Sequence, residues 1–193
     1  MSGLATAGPV WYLMRSSGIV ALILLTAVMA LGIATTNRWR PGRLPRFVTL
    51  DLHRNASLLS VAFLALHIAT AVIDPDAAVS LVAVLVPLTS SRYPLWLGLG
   101  ALSLDLLLAV IVTSLLRHRL SPRLWRNVHW FAYAAWPFAL LHGIGMGSDR
   151  ARPWFLGINI ACVAVVAAAS IWRLLAVPAD PKHLGSRLPE VSR

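Results

Sequence analysis

An all-α membrane protein of five transmembrane helices is the fold class this sequence predicts, and three observations lead to it. Charged residues are only 12% of the chain and hydrophobic ones 58%, where a soluble domain carries about 25% charge. The shortfall lies in uncharged runs over 16–37, 55–73, 127–148 and 153–172, and in 93–116, which only Asp105 interrupts. Each run approaches the roughly 20 residues that span a hydrocarbon core. The arginines, finally, gather between the runs on one side.

That distribution accounts for the formal charge of +10 without a nucleic-acid partner. Arg38, Arg40, Arg43 and Arg46 lie between helices one and two, and Arg117, Arg119, Arg123 and Arg126 between helices three and four. Arg173, Lys182, Arg187 and Arg193 follow helix five. The opposite loops hold Asp74, Asp76 and Arg92, then Asp149, Arg150 and Arg152. Basic loops stay cytoplasmic, so the N-terminus is expected outside and the C-terminus inside a plasma membrane. Arginine outnumbers lysine so far, with Lys182 the one lysine, that a GC-rich bacterial source is expected.

The elements follow in order. Residues 1–14 are expected as a short outer segment. The only early basic residue is Arg15, and the run after it is too long for a signal peptide, so helix one, about 16–35, is expected to be retained. Pro41 and Pro45 mark a loop. Helix two covers about 51–73, with Asp51 as candidate N-cap and Asp74-Pro75 as its stop. Residues 77–88, AAVSLVAVLVPL, are apolar but too short to span. They predict an interfacial or re-entrant helix in the second outer loop. Helix three covers about 94–116. Ser121-Pro122 opens helix four, about 123–146, where Pro137 is expected to introduce a kink. Helix five covers about 153–175, and 176–193 reads as a disordered cytoplasmic tail. Cys162, the single cysteine, excludes an intrachain disulfide and reads as a packing residue.

Four histidines carry the chemistry. His53 and His67 are 14 residues apart in helix two, and His129 and His142 are 13 apart in helix four. Ionisable residues inside spans are costly and signal function. At 1.5 Å per residue the pairs extend about 21 and 20 Å, inside a core about 30 Å thick. Helices two and four both start inside, so His53 and His129 share an inner level and His67 and His142 an outer one. Two imidazoles are too few for zinc, which takes about four ligands. They suit a six-coordinate heme iron, whose porphyrin supplies four nitrogens. No CxxCH motif supports covalent attachment. Rotation favours the first pair, since 14 residues return to within about 40° of one face. Thirteen miss by about 140° in a straight helix, and a kink at Pro137 is the expected remedy. His118 and His183 are expected to be solvated.

The segments DLHRNASLLSVAFLALHIATAVID and WRNVHWFAYAAWPFALLHGIGMGSD, with the opening RSSGIVALILLTAVMALG, resemble the ferric reductase-like transmembrane domain. That superfamily includes NADPH oxidases, metalloreductases and the membrane heme subunit of a periplasmic methionine sulfoxide reductase system. The resemblance covers roughly 10–175 and implies one heme-binding domain over 1–175. It implies two b-type hemes in a four- or five-helix bundle. His53 and His129 would ligate the inner iron, and His67 and His142 the outer. Many members add a C-terminal flavin- and nicotinamide-binding module; this chain has no GxGxxG loop. Electrons are therefore expected from a separate cytoplasmic flavoprotein or a quinone, with any flavin on that partner or at the membrane face. They would leave to an outer-face acceptor.

Lesser residues complete the reading. Arg54, beside His53, is the favoured partner for an inner heme propionate, with Arg126 and Arg38 behind it; Arg15, Arg92 and Arg150 are outer candidates. Asp105 is expected to have a structural hydrogen-bond partner, with proton transfer or a quinone contact as alternatives. Trp39, Trp125, Trp130, Trp136 and Trp154 read mostly as interfacial belt residues. Trp130 and Phe131 are candidates to pack on a porphyrin. Two functional alternatives remain: a heme subunit feeding a periplasmic flavoprotein or methionine sulfoxide reductase, and a non-redox transporter or membrane anchor.

Overall fold

A computed structural model of the chain describes residues 8–36, 46–77, 79–147 and 149–175. Within them lie seven helices and no strand: α1 (Pro9–Thr36), α2 (Arg46–Ile73), α3 (Leu81–Leu85), α4 (Pro94–Leu115), α5 (Pro122–His129), α6 (Phe131–Met146) and α7 (Pro153–Leu175). The Arg38–Arg43 cluster, Trp39, His183 and the tail over 176–193 lie outside the described residues.

Helix starts follow local chemistry. α1, α4, α5 and α7 each begin on a proline, whose missing N–H costs nothing in a first turn. Ser121 caps α5 by accepting the Leu124 N–H at 3.3 Å, and Ser80 caps α3 through the Ala83 N–H at 3.1 Å. Four helices, α1, α2, α4 and α7, are long and apolar enough to cross a membrane. Their apolar side chains are largely on the outside: Leu174 is 84% exposed and Ile160 59%. A helix apolar all round needs a lipid or protein environment, and the chain is a multi-pass membrane protein.

Several sequence expectations need correction. α1 begins at Pro9, so the supposed outer segment contributes nearly two turns of helix. α2 begins at Arg46 and runs through Asp51, which is therefore no N-cap. The expected fourth span is divided into α5 and α6, neither of which reaches spanning length alone. The division falls at Trp130. α6 continues through Pro137. The Tyr133 N–H bonds the Trp130 carbonyl at 3.0 Å, a tight three-residue step between the helices. α3 is only five residues, shorter than the apolar run that announced it.

Two antiparallel pairs build the bundle, α1 with α2 and α4 with α6; α6 also touches α1, and α7 lies against α1. Leu22, Met29, Ile33, Trp136, Leu140 and Cys162 form the core where α1, α6 and α7 meet. Trp136 is buried there and is not a belt residue. Its Nε1–H donates to Thr26 Oγ1 at 2.9 Å, and that hydroxyl donates to the Leu22 carbonyl at 2.8 Å. Both polar groups are thus satisfied in an apolar setting. Ser103 Oγ ties α4 to α6 by donating to the Ala135 carbonyl at 2.8 Å.

Candidate functional site

His67 on α2 and His142 on α6 meet across the bundle. Their ring centroids are 6.3 Å apart, with planes at 73°. The direction of the helices makes this possible. Along α1, Arg15 pairs with Asp149, Gly18 faces His67 and Thr26 bonds Trp136. α6 and α2 therefore both run antiparallel to α1, and parallel to each other. That arrangement brings His67 and His142 to one level.

Three of the four imidazoles are turned by a backbone carbonyl. His67 Nδ1 lies 2.8 Å from the Met14 carbonyl, His142 Nδ1 2.8 Å from that of Trp96 and His53 Nδ1 3.1 Å from that of Val28. A carbonyl only accepts, so Nδ1 carries the proton in all three rings and Nε2 keeps its lone pair. That is the tautomer a metal-ligating histidine needs.

Glycine makes two of these approaches possible. Gly18, Gly32 and Gly100 stand opposite His67, His53 and His142. A β-carbon on Gly18 would lie 2.9 Å from His67 Nδ1, and one on Gly100 2.6 Å from His142 Nδ1. At Gly32 the nearest atom, His53 Cε1, would be 3.4 Å away, ordinary contact. A mid-helix glycine costs about 0.5–1 kcal/mol relative to alanine; here it lets a ring approach the neighbouring backbone. One signal of this lies in the sequence itself: Gly18 and Gly32 share the 14-residue spacing of His53 and His67.

His129 differs. Its Nδ1 is buried without a hydrogen-bond partner, as is Trp125 Nε1 beside it. The two rings stack, with centroids 4.9 Å apart and planes at 27°. Trp125, not Trp130, is thus the indole against His129. Trp130 and Phe131 are exposed, at 56% and 45%, and Trp130 stacks on Tyr133. His53 and His129 share no ring contact among the described residues. The break at Trp130 falls between His129 and His142, and α6 continues through Pro137.

A cavity of about 500 Å³ opens at the His67–His142 level, lined by both rings and by Gly18, Gly100, Arg15 and Arg92. It falls in the 300–1,000 Å³ range usual for cofactor pockets. Arg15 Nη2 pairs with Asp149 at 3.0 Å and sits over Trp11. Arg92 donates to the Asp76 carbonyl at 3.3 Å. Arg150 does not line the cavity. Arg54 is exposed, and no hydrogen bond or ion pair holds it among the described residues. Among the described residues Arg126 bonds only its own helix, through the Pro122 carbonyl, and His118 is exposed as expected. Asp105 is half-buried, and the partner expected for it is not found among the described residues.

Among the described residues no three His, Cys, Asp or Glu side chains converge to hold a bare metal ion. The rings of His67 and His142, both lining the cavity, would instead supply imidazole ligands to a metal carried by a cofactor.

Residues 17–147, more than half of the chain, match the family described as ferric reductase like transmembrane component. The match takes in all four histidines and the three glycines. No curated protein and no solved structure matches.

Proposed function

The chain belongs to the ferric reductase-like transmembrane components, and from that premise we propose that it carries electrons across a membrane through two b hemes. The observation that carries the reading is the His67–His142 pair, 6.3 Å between centroids, with each Nδ1 bonded to a carbonyl. His67 and His142 would hold an outer heme, and His53 and His129 an inner one. Bound heme would supply the one-electron chemistry, and the protein the axial ligands, dry surroundings and charge that set the potential. Arg15 and Arg92, both lining the cavity, suit its anionic propionates. Arg54 is the candidate at the inner level.

In this reading α5 and α6 together make a fifth crossing, with the N-terminus outside and the C-terminus in the cytoplasm of a bacterium. A cytoplasmic flavoprotein or a quinone donates at the inner level, and an acceptor at the outer face takes the electron. The test is a dithionite-reduced minus oxidised visible spectrum of purified protein, with heme counted as pyridine hemochrome. A sharp b-type band and two hemes per chain are expected. A colourless protein from heme-replete cells would sink the proposal and favour a non-redox membrane role.

A further inference from the structure

We infer that Gly18 and Gly100 are positioning residues for His67 and His142, and that His129, whose buried Nδ1 has no acceptor, is the exchangeable ligand. This rests on the two-heme reading and divides its four ligands into three held and one loose.

The three supported histidines follow one rule. His67 bonds the carbonyl of Met14, four residues before Gly18. His53 bonds that of Val28, four before Gly32. His142 bonds that of Trp96, four before Gly100. A helical side chain leans toward the N-terminus and covers the turn before it. Glycine leaves that turn bare. The exposed carbonyl already receives a helix N–H, and its second lone pair accepts the imidazole. Such a bond fixes the tautomer and the ring angle and raises ligand basicity; its loss typically costs tenfold to a hundredfold in metal affinity, as an order of magnitude.

His129 breaks the rule on both sides. Its buried Nδ1 has no acceptor. No described glycine has the His129 ring among its nearest neighbours. Trp125 stacks on the His129 ring, which fixes its plane and supplies no acceptor. An outer heme would thus have both imidazoles held, and an inner one only His53.

Carbon monoxide titration of the dithionite-reduced, purified protein tests this, with hemes counted in the same sample. One CO per two hemes is expected, lost in His53→Ala together with the inner heme. Gly18→Ala and Gly100→Ala should lose the outer heme, or open it to a second CO, while the retained inner band reports a folded chain. Gly32→Ala, where a methyl fits, should keep the wild-type spectrum. Two hemes that bind no CO, or CO at the outer heme alone, would overturn the inference and leave the two-heme reading standing. An outer heme unchanged in both Gly18→Ala and Gly100→Ala would overturn it too. A protein without heme would defeat both.

Discussion

His142 reaches the Trp96 carbonyl across the face of Gly100, and on the other side of the cavity His67 reaches the Met14 carbonyl across Gly18. Two helix pairs with no sequence likeness solve the same problem in the same way. Each donates one imidazole nitrogen to backbone and frees the other, and the two free sides share a cavity. The bundle brings its helices into close approach at these points.

In the two-heme reading His67 and His142 act as a unit, since each is half of one ligand set. His67→Ala and His142→Ala should each remove the outer heme, and the double variant should remove no more than either alone. Pyridine hemochrome counts on the three proteins check this. A double variant retaining half the heme of each single variant would show independent sites.

Trp136 is an anchor of the core. Trp136→Phe keeps the bulk and loses the bond to Thr26, whose hydroxyl still bonds Leu22. A loss of about 1 kcal/mol is expected. Trp136→Ala also opens a cavity and should cost about 3–5 kcal/mol. Unfolding in detergent, followed by circular dichroism, should rank the two in that order.

Asp105 lies in an apolar helix with no hydrogen bond or ion pair among the described residues. Burying an uncompensated carboxyl in a span is unfavourable. Asp105→Leu is therefore expected to raise the melting temperature and leave the heme count unchanged. A marked fall in stability would reveal a partner for the carboxylate.

α5 is eight residues long, and a helix that short needs its cap. Ser121→Ala removes the acceptor for the Leu124 N–H, at a cost of about 1 kcal/mol. Because α5 carries His129, the inner heme should be lost first on heating this variant, leaving the outer spectrum. Simultaneous loss of both hemes would count against α5 as a separately melting element.

The Arg15–Asp149 pair is only partly buried, at 14% and 29% side-chain exposure. Asp149→Asn should cost no more than about 1 kcal/mol, and the cost should shrink with added salt. Thermal melts at low and high ionic strength check both statements.

Much of this was legible in the sequence. Uncharged runs placed the long helices, prolines marked where α4, α5 and α7 begin, and equal spacing picked out the four histidines. These signals are local: hydropathy and periodicity act within one segment and need no knowledge of its neighbours. Cys162 also read correctly as packing, since a lone cysteine in an apolar run has little else to do.

What only the tertiary structure decided was register between segments. Gly18 belongs with His67 because antiparallel packing of α1 on α2 brings them together, and nothing near Gly18 in the chain says so. Trp136 looked like other tryptophans until Thr26 lay opposite it. Asp51 resembled a cap because it precedes an apolar run, yet α2 forms through it from Arg46. The tight step at Trp130, rather than Pro137, divides the fourth apolar run. A helix's own sequence sets its length and hydropathy, whereas the atoms that touch are set by how two helices slide and rotate against each other. That choice is made by the whole bundle at once.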